Sequence, residues 1–285
     1  MRELSVQWFP GHMTKAKRMI AEELKLIDIV IEMLDARIPA ASSNPLLAEL
    51  IGGKTRVIVL NKSDLSDPAI TGEWLRYYTE NGLPAVLLDS VRGQGVKKLT
   101  EVLKQAAAPI SSKWLARGVK NKSIRVMIAG IPNVGKSSLI NRFLKSAKAQ
   151  TADRPGVTKG KQWLKVAGGN LEILDTPGIL WPKFDNSRVA FALAATGAIK
   201  DAAFDVEQAA LLLLEFLRDK YPDGFACRYK LPLPVLSAAE DILAAVARQK
   251  GCLRSGGTVD LEAAAKHVLT DFRAGLLGRV SLEAV

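Results

Sequence analysis

Eight consecutive residues, Gly130-Ile131-Pro132-Asn133-Val134-Gly135-Lys136-Ser137, fill every position of the pattern G-x-x-x-x-G-K-[ST]. Such a stretch handles phosphate. Its glycines let the backbone curl tightly, successive N–H groups then face an anion, and a following helix adds the field of its amino terminus. Lys136 is expected to reach the β- and γ-phosphates of a nucleotide and Ser137 to ligate Mg2+, with Asn133, Val134, Gly135 and Ser138 lining the same loop. Asp175-Thr176-Pro177-Gly178 follows. The Asp175 carboxylate ends an apolar run, where it can hold Mg2+ through water. Gly178 can offer its N–H to a γ-phosphate because no side chain blocks the approach. Between the two motifs stands Asp153-Arg154-Pro155-Gly156-Val157-Thr158, in which Thr158 is expected to close on the magnesium only while a γ-phosphate is present.

Base choice falls to Asn61-Lys62-Ser63-Asp64. The Asp64 carboxylate can accept two hydrogen bonds from guanine N1–H and its 2-amino group, donors that adenine lacks. Asn61 braces the loop, and the Lys62 stem can lie across the purine face. Asp89-Ser90-Val91 stands at the end of the next apolar run, where a backbone N–H can meet guanine O6. In ordinary GTPases the N-K-x-D element comes after the phosphate loop; here it comes before. That order describes a circularly permuted GTPase domain.

Hydrolysis is less plainly equipped. The residue after Gly178 is Ile179, whose apolar side chain cannot orient an attacking water as a glutamine there does. His12, in Trp8-Phe9-Pro10-Gly11-His12-Met13, is a candidate to do so; a structural or RNA-contacting histidine is the other reading. Asn133 admits two roles as well, as a ligand for a K+ ion beside the phosphates or as a brace for its own loop.

The elements that must carry these residues alternate strand and helix patterns over the first two-thirds of the chain, which predicts an α/β domain with a mainly parallel sheet and helices on both faces. Strands are expected at 27–34, 55–60, 84–88, 125–129, 162–166 and 171–174, and helices at 69–81, 96–108 and 136–145. Pro109 is expected to close the helix before it, leaving 110–123 as a polar, basic connector. From about Pro182 only helical periodicity remains, at 189–199, 206–220, 238–249 and 261–277, with breaks at Pro222, Pro232 and Pro234. The expected organisation is a permuted GTPase domain over 1–182 and an all-α domain over 183–285.

Net charge is +11 over 285 residues, and one stretch supplies it. Residues 113–165 hold thirteen Lys and Arg against Asp153 alone, while the flanking stretches are nearly balanced. A single triphosphate does not require so many cations. A large polyanion is the natural second partner, with a merely solvated basic face as the alternative. No apolar run reaches the length of a membrane span, no secretory core stands at the amino terminus, and Cys227 and Cys252 lack metal-ligand spacing, so a cytoplasmic protein with free thiols is expected. A monomer is expected.

Taken in this order, the motifs make the chain resemble the circularly permuted GTPases of ribosome assembly. The amino-terminal Trp8-Phe9-Pro10-Gly11-His12-Met13 and the run Asp35-Ala36-Arg37-Ile38-Pro39 resemble the bacterial ribosome biogenesis GTPase A (YlqF) family over nearly the full length. The resemblance implies late assembly of the large (50S) ribosomal subunit, binding of its precursor and rRNA according to GTP or GDP state, RNA or ribosome contact by the 183–285 domain, and weak intrinsic hydrolysis stimulated by ribosomal particles. It also implies an apolar residue in place of the catalytic glutamine, as Ile179 would be. Two other functions fit the same motifs: a GTPase acting on another RNA such as tRNA, and a nucleotide-gated binding module with little hydrolysis.

Overall fold

The computed structural model describes residues 4, 20–119, 122–148, 163–166, 171–175, 186–232 and 238–285, by backbone alone at 145–148, 163–166 and 175. Two compact units emerge. One comprises residues 10–64, 69–182 and 283–285, the other 1–9, 65–68 and 183–282.

The first unit is built on a six-stranded sheet of β1 (Ile29–Asp35), β2 (Thr55–Asn61), β3 (Ala85–Leu88), β4 (Ile124–Gly130), β5 (Trp163–Val166) and β6 (Leu171–Asp175). The spatial order is β3-β2-β1-β4-β6-β5, with β5 the sole antiparallel strand. β1 is buried at every residue, as a central parallel strand covered on both faces must be. Counted from β4 through β6 and then from β1 through β3, the strands run sixth, fifth, fourth, first, third, second across the sheet. This is a doubly wound order cut between its third and fourth strands. β4 and β1 are neighbours whose onward connections leave in opposite directions, so the crevice at their carboxyl ends is a topological switch point.

Helices α1 (Pro39–Ser42), α2 (Pro45–Ile51), α3 (Pro68–Glu80), α4 (Val96–Ala116) and α5 (Lys136–Lys148) join these strands. On one sheet face Val30, Met127 and Ala129 pack with Leu47 and Ile51, and Leu34, Ile58 and Leu60 pack with Trp74 and Tyr78. Between Val30 and Leu34 lies Glu32, fully buried and paired with Arg56. Burial pushes its carboxyl up, against the pull of Arg56 and a hydrogen bond from Ser43.

One sequence expectation fails here. α4 does not stop at Pro109 but runs on to Ala116. A proline removes the N–H that the carbonyl of Gln105 would accept; both residues are exposed, so water can take that carbonyl and the helix continues. The connector is therefore helical for half its length.

In the second unit lie α6 (Ser187–Ala195), α7 (Val206–Lys220), α8 (Pro222–Tyr229), α9 (Ala239–Lys250) and α10 (Leu261–Arg273). Leu213, Leu214 and Leu217, Ile242, Leu243 and Val246, and Val268, Leu269 and Phe272 are buried at helical spacing, so the apolar stripes face one another. Asn186, Asp205 and Asp260 cap their helices by accepting backbone N–H bonds. α7 ends at Lys220, at the break expected around Pro222, and Pro222 then starts α8, where its missing N–H leaves no bond unmade. Residues 65–68 belong to this unit: Val280 N–H donates to the Leu65 carbonyl at 3.0 Å, Arg279 Nε to Ser66 at 2.9 Å, and Tyr221 OH to Asp67 at 3.2 Å.

Candidate nucleotide-binding site

The phosphate loop leaves β4 at Gly130 and enters α5 at Lys136. Gly130 and Gly135 have φ of 157° and 106°, and Asn133 a left-handed 58°. A Cβ on Gly135 would strike the Asn61 amide and crowd the Ser90 hydroxyl, so glycine is needed there for close approach as well as for conformation. Ile131 and Val134 are buried and pin the loop from beneath. Lys136 is buried too, its Nζ donating to the carbonyls of Gly130 at 3.1 Å and Ile131 at 2.9 Å. Ser137 is exposed at the helix start and Ser138 half-buried beside it.

Asn61 knits the site. Its Oδ1 accepts from Ser90 N–H at 3.0 Å, while Nδ2 donates to Ser90 Oγ at 3.0 Å and to the Val134 carbonyl at 2.6 Å. One buried amide thus joins the ends of β2 and β3 to the phosphate loop. The neighbouring loop is held as firmly. Ser63 donates through N–H and Oγ to the Leu88 carbonyl, each at 3.1 Å, and Asp89 Oδ1 accepts from Val91 and Arg92 N–H groups. Asp64 is half-buried, 3.7 Å from the Arg92 guanidinium.

At the end of β1, Asp35 lies in register with Asn61 and is 1% exposed. Arg37 reaches it with two side-chain bonds, Nε to Oδ1 at 2.9 Å and Nη2 to Oδ2 at 2.8 Å, and Lys62 Nζ stands 2.9 Å from Oδ2. Burial alone would push this carboxyl up; Arg37 and then Lys62 overcome it and hold it well below the usual carboxylate range. Asp175 ends β6, its neighbour across β4 being Ile128. The candidate residues on β2, β3, β4 and β6 therefore gather at the carboxyl ends of the sheet, around the switch point.

His12, Thr158, Gly178 and Ile179 lie outside the described residues, as does the run from Asp153 to Thr158. Asp35, Arg37 and the Val134 carbonyl are the site features that residue reading missed as working parts. The available signal was positional: Asp35 ends an apolar strand just as Asn61 ends its own and Ser90 closely follows the next.

Residues 125–221 match the family described as 50S ribosome-binding GTPase. The chain is 46% identical over 284 residues to the Ribosome biogenesis GTPase A of Priestia megaterium, covering 98% of this chain and 97% of that protein. It is 44% identical over 281 residues to the protein of the same name from Bacillus cereus, covering 98% and 93%. Among solved structures, GNP-bound YlqF from T. maritima superposes with a TM-score of 0.65 at 29% identity, over 95% of this chain and 98% of that one. With its permuted strand order and near full-length likeness, the chain belongs to the Ribosome biogenesis GTPase A (YlqF) family.

Proposed function

We propose that this protein binds and hydrolyses GTP as an assembly factor for the large ribosomal subunit, its nucleotide state controlling attachment to rRNA of a subunit precursor. The observation that carries this reading is the Asn61 amide, which brings the guanine-selecting loop, Ser90 and the phosphate loop into one cluster despite their inverted order in the chain. In this reading Asp64 takes the guanine N1–H and 2-amino group, Lys136 leaves its two loop carbonyls for the β- and γ-phosphates, and the N–H groups of 133–138 cradle them. The exposed Ser137 hydroxyl and the Asp175 strand end, with Thr158, suit the oxygen-ligand preference of Mg2+, which would neutralise charge on the phosphates. Gly178 and Thr158 would sense the γ-phosphate, His12 would position water where Ile179 cannot, and Asn133 would favour K+ as a supplementary charge.

The second half of α4 and the strand it leads to support the polyanion partner. A groove of about 550 Å3 there is lined by Lys104, Trp114, Leu115, Val119 and Lys122. Lys122 Nζ sits 3.6 Å from the Trp114 ring centroid and Arg117 5.6 Å from it. Trp114 is half-buried, and cations beside such an aromatic suit phosphates and unpaired bases. No helix among the described residues is long and apolar enough to cross a membrane, and we place the protein's work in the cytoplasm, as a monomer.

Two measurements on the full chain test this reading. Labelled GDP and GTP should bind while ATP does not, and the protein should co-sediment with large ribosomal subunits when loaded with a non-hydrolysable GTP analogue and separate from them with GDP. Equal affinity for ATP, or the same sedimentation in both nucleotide states, would overturn it.

A further inference from the structure

Lys62 is the least comfortable residue of the guanine loop. Its φ of 58° puts a β-carbon in the left-handed region, and its ammonium is drawn down to a carboxylate that is 1% exposed. A surface lysine would ordinarily leave that ammonium in water. Nor does charge neutrality require it, because Asp35 already holds Arg37 by two side-chain bonds and accepts the Arg37 backbone N–H at 3.1 Å. The carboxylate itself is fixed from behind: its own N–H donates to Ser42 Oγ at 3.1 Å, and its strand is paired on both sides. A second cation on an already paired, immobile anion is a tether for the lysine.

We propose that Asp35 is a positioning residue for guanine nucleotides: by holding the Lys62 ammonium it keeps the four-carbon stem of that lysine as an apolar shelf for the purine, beside the Asp64 carboxylate that reads the base. The inference rests on the reading that residues 61–64 receive guanine. Arg37 is the partner that keeps Asp35 charged and in place for this task, which gives the Asp35-Ala36-Arg37 run a physical purpose. Loss of the tether leaves Asp64 untouched, so binding weakens while base discrimination stays.

The test is nucleotide affinity of the full chain with Asp35→Asn, Lys62→Met and the double variant. Asp35→Asn should weaken GDP and GTP alike by about 10-fold, leave the ratio of GDP to IDP affinity unchanged, and raise KM for hydrolysis with kcat preserved. In the Lys62→Met background, Asp35→Asn should add nothing, since the stem no longer carries an ammonium to tether. An equal loss in both backgrounds, a changed GDP-to-IDP ratio, or wild-type affinity in Asp35→Asn would each overturn the proposal. Asp35→Asn leaves the Arg37 guanidinium buried without its anion; if thermal melting shows that variant unfolded, Asp35→Asn with Arg37→Gln is read against Arg37→Gln in the same two backgrounds. Wild-type protein that fails to prefer GDP over ADP would remove the guanine-site reading itself, and this inference with it.

Discussion

Asn61 touches no reacting atom, yet three loops hang on its amide. Replacing it with Ala leaves the Ser90 N–H and the Val134 carbonyl without their partner in a dry cluster, a loss of about 1–3 kcal/mol. GDP affinity, measured by titration with a fluorescent analogue, should fall about 10- to 100-fold. Asp64 makes a sharper test. An amide there offers a donor where the carboxylate accepts, so Asp64→Asn should reject guanine nucleotides by about 100-fold or more while accepting xanthosine nucleotides, whose 2-position is an oxygen. Competition binding with the two diphosphates checks it. These residues were legible in the sequence because their chemistry is specific at fixed spacing. Asp35 was not: a carboxylate at a strand end could face water or a cation, and only the register of β1 on β2 sets it beside Lys62. The Val134 carbonyl was invisible for another reason, since every residue has one.

Among the elements, the strands that carry motifs were foreseen within about two residues, because each is an apolar, β-branched run that ends on a polar residue. One of the prolines misleads. Pro222 marks a true break, with α7 ending at Lys220 and the proline taking the first turn of α8, whereas Pro109 does not, because an exposed carbonyl tolerates the loss of its donor. Pro109→Ala restores the bond to Gln105 and should stabilise the protein by about 1–2 kcal/mol after allowing for the freer unfolded chain, visible as a higher denaturation midpoint. In the helical unit, Asp271 on α10 receives Arg228 of α8 at 2.8 and 3.0 Å and Tyr229 OH at 3.2 Å, with Lys250 of α9 at 3.7 Å. Burial opposes its charge, but the Arg228 bonds and Lys250 hold its carboxyl below the ordinary value. A lowered folded value means the folded state binds fewer protons, so this stabilisation is complete above about pH 4 and drains away as pH falls through the lowered value. Asp271→Asn should therefore lower the thermal midpoint by a few degrees at pH 7 and flatten the acid limb of the stability profile; an unchanged acid limb would count against this role.

At the scale of the whole molecule, motif order alone announces the permutation, and the strand order β3-β2-β1-β4-β6-β5 agrees with it. The helical unit was legible only as periodicity. Its inclusion of residues 65–68, directly after the guanine-selecting motif, could not be read from the sequence, since it depends on backbone bonds to Val280 and neighbours more than two hundred residues away. Charge distribution was legible, and its use is testable: Lys104→Glu with Lys122→Glu, at the Trp114 groove, should weaken attachment to large subunits about 10-fold or more at low salt, with less effect as salt rises, and leave GDP affinity unchanged. The measurement that bears most directly on the protein as a ribosome-coupled GTPase is GTP hydrolysis by the purified chain in potassium buffer, with and without large ribosomal subunits. Slow turnover alone and strong stimulation by large subunits, with little from small subunits or tRNA, is the expected result. Turnover that no ribosomal particle alters would contradict it.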